Sequence, residues 1–393
     1  MGKVVEFEKI SQEQMHVDLG EVFRGAIRMS LELLLEEEVK AMVGAHRYER
    51  TASRRGQRNG SYLRGLLTGM GHIDVSVPRA RDGSAAGIIG AYKTRSDEVD
   101  ELLTEAYVSG VSQRKMADVT EGLMGKRVSR SVVSRVAKRL EQTVEQLRTE
   151  KLEQQFPYLY LDATFIDARW AKRVENVAAL VAYGVGEDGY RHLLGVHIGP
   201  QESEESWAEL LRLLADRGLT GVRLVISDDH AGLKAAVRTW FPEADHQRCT
   251  VHVQRNVIAK VPRRLQKRIA GEVGFVFKAA SKKQARERLE EFDARWSKEL
   301  PEAVDCLNGA FEAATRFYEF PEAHWRRIKT TNSIERLNGE IKRRTKAVGA
   351  FPDRESALRL VANVAIRACA RWGQKRYLDM NLLREEVDQQ AAA

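Results

Sequence analysis

Between Tyr158 and Val251 the chain changes texture in a fixed order. Tyr158 to Ile166 is β-branched, aromatic and apolar except for Asp162. Asn176–Val185 and Tyr190–Ile198 read as a second and a third strand. Ser203–Arg217 is an amphipathic helix with Trp207, Leu210, Leu211 and Leu214 on its apolar face. Val222–Ile226 is a fourth strand that ends at Ser227-Asp228-Asp229-His230. Ala231–Phe241 is a helix stopped by Pro242, and Asp245–Val251 is a short fifth strand. Short connections make the first three strands an antiparallel meander, and crossovers make the later strands parallel.

Three strands, helix, strand, helix, strand is the order of the ribonuclease H-like fold, within the α/β class. In that order the first and fourth strands are neighbours, so Asp162 and Asp228 can meet. After His252 the strand signal stops. Residues 253–325 read as helix throughout, with a basic run that includes Arg255. A further helix carries Glu335, and a last one starts near Asp353, after Phe351-Pro352.

The region before residue 150 reads mainly as helix. Residues 17–43 carry Val17, Leu19, Val22, Phe23, Ile27, Met29, Leu31, Leu34 and Leu35 at the spacing of an apolar face, with Gly44 as a stop. His46–Arg64 is arginine-rich and includes Arg54, Arg55 and Arg58, with Asn59-Gly60 as a turn signal. Gly71–Arg79 alternates as a strand. The basic stretch can lie along a phosphate backbone or be a solvated loop. Ser112 is a good N-cap, Gly125–Ser131 reads as a turn, and the next helix turns Arg130 and Arg135 outward. This spacing fits a helix-turn-helix, and equally a plain helical hairpin.

The bulk numbers fit a polyanionic partner. Net charge is +8, with 31% charged residues. No apolar run approaches the roughly 18 residues that span a bilayer, and Met1–Glu6 does not open like a signal peptide. Three cysteines, an odd count, fit a reducing cytoplasm.

Asp162 sits in an apolar strand, where an unpaired carboxylate is costly unless protonated or bound to metal. Asp228 follows the fourth strand at its carboxyl end, where α/β sheets keep their sites. Asp229 beside it suits the next N-cap. Glu335 stands in the first turn of a basic helix. It could close a capping box with Asn332, or be the third of three converging acids. Three such acids would hold two Mg²⁺ or Mn²⁺ ions for an in-line phosphodiester displacement.

With these residues assembled, the chain resembles the mutator-type family of prokaryotic insertion-sequence transposases over nearly its whole length. The likeness is carried by Leu161-Asp162-Ala163, Val225-Ile226-Ser227-Asp228 with Gly232-Leu233, Gln247-Arg248-Cys249-Thr250-Val251-His252 with Arg255-Asn256, and Thr330–Asn338 with Lys342-Arg343-Arg344. Arg58-Asn59-Gly60, Val77-Pro78-Arg79 and Gly110-Val111-Ser112 add to it. One departure is Asp229, where the family more often has glycine.

The resemblance implies a DDE transposase with Asp162, Asp228 and Glu335 as a metal-binding triad. It also implies an all-helical insertion before the glutamate and action on double-stranded DNA at terminal inverted repeats. The expected organisation is an N-terminal helix and basic segment (1–95), a helix-turn-helix-like region (96–150), and a first part of the catalytic core (156–254). The helical insertion (255–327) and the rest of the core (328–393) follow. A homodimer or larger assembly on paired ends is expected, in a prokaryotic cytoplasm. Cys249 and His252, even with His246, give too few ligands for zinc. They are either a packed thiol with a bonded imidazole, or His252 contacts DNA near the scissile phosphate as a catalytic group. Arg255, Arg336, Lys342, Arg343 and Arg344 are expected DNA contacts.

Overall fold

The structure is a computed structural model that describes residues 12–81, 83–90, 93–170 and 173–385. Met1–Glu6, the Gln389-Gln390-Ala391 tail and the Val17 side chain lie outside the described residues. The chain divides into two compact units: Met1–Tyr107 with Val111–Lys138, and Val108–Gly110 with Arg139–Ala393.

In the first unit α1 (Gln12–Val43) ends at Gly44, whose φ of +76° suits glycine and whose amide donates to the Lys40 carbonyl. Leu35, Val39 and Val43, each four residues apart, are buried against a hairpin of β1 (Arg58–Thr68) and β2 (Gly71–Ala80). The apolar face expected along all of α1 is buried only over its later turns. Leu19, Val22, Phe23, Met29 and Leu34 are half exposed or more, because the short hairpin covers only the C-terminal part of the helix. The end of the arginine-rich segment, not expected to be a strand, supplies most of β1. Asn59-Gly60 makes a bulge where the register shifts between Arg58 and Ser61, with Gly60 at a φ of +67°. The two-residue hairpin turn comes at Gly69-Met70 instead. A two-residue strand, β3 (Gly83–Ser84), completes this sheet.

Three helices follow: α2 (Asp97–Val108), α3 (Gln113–Met124) and α4 (Arg130–Thr149). Ser112 caps α3 by accepting from the Lys115 amide, and Gly125 closes it in the left-handed region. The helices and turn expected from the sequence are therefore present.

The second unit is built on a mixed five-stranded sheet of order β6-β5-β4-β7-β8. Its strands are β4 (Tyr158–Trp170), β5 (Arg173–Val185), β6 (Arg191–Gly199), β7 (Leu224–Ser227) and β8 (Asp245–Arg248). β4 pairs antiparallel with β5 and parallel with β7, and β7 pairs parallel with β8. Alternation along β4 sorts its side chains. Leu159 and Leu161 join the core beneath α5 (Glu204–Asp216) and α6 (Ala231–Trp240). Tyr158 and Tyr160 look the other way. The Tyr158 hydroxyl is 2.8 Å from His324 Nδ1, and that of Tyr160 donates to the Arg327 carbonyl at 3.3 Å. Asp162 is next in the tyrosine row.

Beyond β8 five helices follow: α7 (Thr250–Ala259), α8 (Arg263–Val276), α9 (Lys282–Trp296), α10 (Pro301–Ala314) and α11 (Glu322–Ile328). The first four enclose a core of their own that includes Val257, Val273, Phe292, Trp296 and Phe311. α12 (Asn332–Val348) and α13 (Arg354–Cys369) return to the sheet and pack on β4 and β6. The fifth strand is shorter than expected. It ends at Arg248, and Thr250 already begins α7.

Two histidines here make stability sensitive to acid. Burial holds His197 down to about 4, helped by the Arg354 charge, and burial holds His246 down to about 4. Both stay neutral in the fold while the unfolded chain takes up protons below about 6.5. Unfolding therefore binds protons at these two rings in this window, and their contribution to stability falls as pH drops from about 6.5 toward 4. The loss is on the order of a few kcal/mol for the two together. Thermal melts in that range check it, and a His197→Gln, His246→Gln double variant is expected to flatten the fall.

Candidate active site

The two aspartates come together through sheet register. Tyr160 pairs with Ile226 at the end of the parallel β4–β7 ladder. Asp162 and Asp228 each stand two residues further on, just past the end of that ladder, Asp162 still within β4 and Asp228 directly after β7. Burial pushes the Asp162 carboxyl up to about 7, and the charges of Asp228 and then Glu335 add to that, while His252 opposes it. These four side chains thus share one electrostatic neighbourhood. Asp162 accepts from the Ala163 amide at 3.1 Å and from Asn338 Nδ2 at 2.8 Å.

Asp228 and Asp229 differ in their partners. Asp229 is paired with Lys234 and Arg248. Asp228 accepts from the His230 amide at 3.3 Å, and no ion pair is recorded for it among the described residues. A fourth acid, Glu202, not singled out from the sequence, lies near it. Burial and then the Asp228 charge raise the Glu202 carboxyl, which accepts from Trp207 Nε1.

Glu335 does not close a capping box. Thr331 occupies the N-cap position of α12 and makes no side-chain cap bond there. Its amide and hydroxyl both donate to Cys249 Sγ, at 3.3 and 3.2 Å. Asn332, the expected cap, begins the helix, and the Ser333 hydroxyl bonds that of Tyr183. The Glu335 carboxylate takes Arg255 Nη1 at 2.7 Å, Arg255 Nη2 at 3.2 Å and His252 Nε2 at 3.2 Å.

His252 lies in the first turn of α7 rather than after a strand. Its neighbour Cys249 draws its pKa upward against the effect of burial, and Asp162 and Glu335 add to this. The buried Cys249 thiol is pushed up by burial, but the His252 ring and the Thr331 donors outweigh this and hold it below the usual thiol range. The packed-thiol description holds: the thiol is buried, and the imidazole lies beside Glu335.

No group of three or more His, Cys, Asp or Glu among the described residues is already arranged to hold a metal ion. The donor set nonetheless fits a hard cation. Asp162 and Asp228 offer carboxylate oxygens beside one another, and the Asn338 Oδ1 is buried with no partner. Glu335 is held by Arg255, which is 57% exposed, and by His252.

The whole-chain comparisons decide the family. The pattern of the family described as "Transposase, Mutator family" matches residues 2–375. The chain belongs to the Mutator family of transposases. The transposase for insertion sequence element ISRM5 of Rhizobium meliloti is 37% identical over 364 residues, covering 92% of each chain. That for IS256 in transposon Tn4001 of Staphylococcus aureus is 36% identical, covering 88% of this chain and 90% of its own. That for IS1081 of Mycobacterium tuberculosis is 33% identical, covering 97% and 92%. Among solved structures, the Drosophila P element transposase strand transfer complex covers 74% of this chain and 85% of its own. Its TM-score is 0.31 at 10% identity, a distant likeness.

The basic residues of this insertion-sequence transposase fall into two groups. Arg55, Arg130, Arg135, Arg336 and Lys342 are exposed, as is Arg343, which pairs with Glu340. The others are engaged within the protein. Arg54 donates to the Glu49 and Gly56 carbonyls. Arg58 is 15% exposed and pairs with Glu36 at 2.6 Å, and Arg344 is largely covered beside Glu340. No helix among the described residues is long and apolar enough to cross a membrane.

Proposed function

We propose that the second unit is a ribonuclease H-like catalytic core, interrupted by α7–α11, in which Asp162, Asp228 and Glu335 hold two Mg²⁺ or Mn²⁺ ions. In this reading the transposase cuts DNA at the terminal inverted repeats of its element and joins the freed 3′-hydroxyl to target DNA. The observation that carries it is the register of Asp162 and Asp228 on adjacent parallel strands, with Glu335 close enough to raise the Asp162 carboxyl. Bound there, divalent cations supply activation of the attacking oxygen and neutralisation of charge on the leaving oxygen.

The chain's own residues do the rest. The buried tyrosine row and α12 fix the direction of Asp162. His252, a hydrogen-bond donor beside Glu335, is offered to a phosphate oxygen near the scissile bond. Arg255 can exchange the Glu335 carboxylate for a DNA phosphate, an electrostatically equivalent partner. The exposed cations Arg55, Arg130, Arg135, Arg336, Lys342 and Arg343 grip the backbone of double-stranded DNA, with the region before residue 150 taking the element's ends through its basic strand and its helix-turn-helix-like pair. Two ends held together call for two or more protomers.

Incubation with end-bearing DNA and Mg²⁺ or Mn²⁺ tests the reading. Joined products support it. Cleavage without joining would make the protein a nuclease. Binding without either, unaltered in Asp162→Asn, would make it a DNA-binding regulator.

Salt gives a second test. With six to ten phosphate contacts, affinity is expected to fall by about 10³–10⁵ between roughly 50 and 200 mM salt. Arg130→Ala and Arg135→Ala should each reduce the salt slope by about one, measured by fluorescence anisotropy. Arg58→Ala, which removes the partner of Glu36, should instead lower the melting temperature. A salt-insensitive affinity would rule these cations out as backbone contacts.

A further inference from the structure

α12 carries a second functional side chain one turn beyond Glu335. Asn338 is 6% exposed and stands at i+3 from the glutamate, so both side chains lie on the same helical face. Its Nδ2 donates to Asp162 Oδ2 at 2.8 Å across 176 positions of chain. Its Oδ1 is buried and has no hydrogen-bond partner in the protein. A buried amide that satisfies only one end is uncommon, and an orphaned acceptor costs about 1–3 kcal/mol. An apolar residue of similar size would fill the space without that cost.

The half-used amide has a coherent role in the site. Asp162 has four lone-pair directions on its carboxylate. Two are taken, by the Ala163 amide on Oδ1 and by Asn338 on Oδ2. These two donors come from different elements, so they fix the plane of the carboxylate while leaving other lone pairs unclaimed. The free Asn338 oxygen has the chemistry to accept from a water held at the same site, since a hydrated hard cation presents O–H donors.

We propose that Asn338 is a positioning residue for the metal site. Its amide orients the Asp162 carboxylate, and its unpartnered carbonyl oxygen receives a cation-bound water. The inference rests on the reading of Asp162 as a metal ligand. It also gives α12 a double task, since one helix face delivers both the third acid and the group that aligns the first.

The test measures Mn²⁺ binding to the full-length protein without DNA, by electron paramagnetic resonance of the free ion. Asn338→Ala is expected to weaken Mn²⁺ binding by about 10–100-fold, the range for loss of a group that orients a metal ligand. Strand transfer should fall through kcat, with the affinity for end DNA in the absence of metal unchanged. Asn338→Leu keeps the bulk while removing both the donor and the acceptor. It should behave in the same way, and it serves if the alanine variant folds poorly. Because Asn338 acts in part through Asp162, adding Asn338→Ala to Asp162→Asn should weaken Mn²⁺ binding by less than it does in the parent; a fully additive loss would overturn the orienting role.

Undiminished Mn²⁺ affinity in either Asn338 variant, with only a lower melting temperature, would overturn the proposal and leave Asn338 a structural residue. Undiminished affinity in Asp162→Asn itself is a different failure, because it would remove the metal site on which the proposal depends.

Discussion

Asp162→Asn is expected to abolish strand transfer, by at least about 10³-fold, while leaving the metal-free protein as stable as the parent or more so. The rate effect follows from removing an anionic ligand of the proposed metal site: a metal centre supplies several kcal/mol at the transferring phosphate, and each 1.36 kcal/mol is tenfold. The stability effect has the opposite sign. Asp162 is half-buried, and its carboxyl is pushed up to about 7 by desolvation and by Asp228 and Glu335. A group whose folded pKa lies above its unfolded value stabilises below the unfolded pKa, and that stability is lost as pH rises through the folded value. In EDTA the contribution of Asp162 therefore declines from about pH 4 to about pH 7, by an amount on the order of a few kcal/mol, against the opposite contribution of His197 and His246, so it is read as the difference between parent and variant. The asparagine variant carries no such charge, so its melting temperature should exceed the parent's at pH 8 and approach it at pH 5. A variant clearly less stable than the parent at pH 8, with strand transfer retained, would show that Asp162 is a structural acid.

Glu335→Gln should cost a comparable factor in strand transfer with almost no change in stability. Three facts limit the structural loss. The side chain makes no capping bond, so the roughly 1 kcal/mol of a lost cap does not arise. Its partner Arg255 is 57% exposed, so the released guanidinium returns to water. Ion pairs with one exposed side chain are worth about 0–1 kcal/mol, and the glutamine amide oxygen can still accept from His252. End binding without metal should be retained, since the glutamate is not a DNA contact. A fall of several degrees in melting temperature with strand transfer intact would mean that the Arg255–Glu335 pair serves the fold alone.

What could be read from the sequence follows the range of the signal. The period-two pattern of Tyr158–Ile166 and the turn chemistry around Ser227-Asp228 are local, so the strands and both aspartates were visible; strand direction followed from connection lengths, and the adjacency of the first and fourth strands from the ribonuclease H-like element order. The strand β1 was not. Its arginines and Asn59-Gly60 look like a loop, and only pairing with β2 makes a bulged strand of them. The extent of α1's buried face was also not legible, because periodicity says which side is apolar but not how far a partner reaches. Glu335 looked like half of a capping box, and only Arg255, His252 and Cys249, all brought from α7 and its cap, reveal how that helix end is used. Asn338 was visible as a residue one turn after Glu335. Its bond to Asp162 spans too much sequence to be guessed from spacing. Glu202 sits between elements with nothing local to mark it.

The contact between Asn338 and Asp162 joins residues 176 positions apart. Loop-closure entropy makes such contacts late to form. A ribosome making this chain at about 5–20 residues per second delivers both aspartates several seconds before the glutamate. Throughout that interval the nascent protein has its sheet and half a catalytic centre, while much of its basic surface can already meet DNA. On the function proposed above, competence to cut arrives only with α12, so a translation product ending before that helix is expected to bind DNA without cutting it.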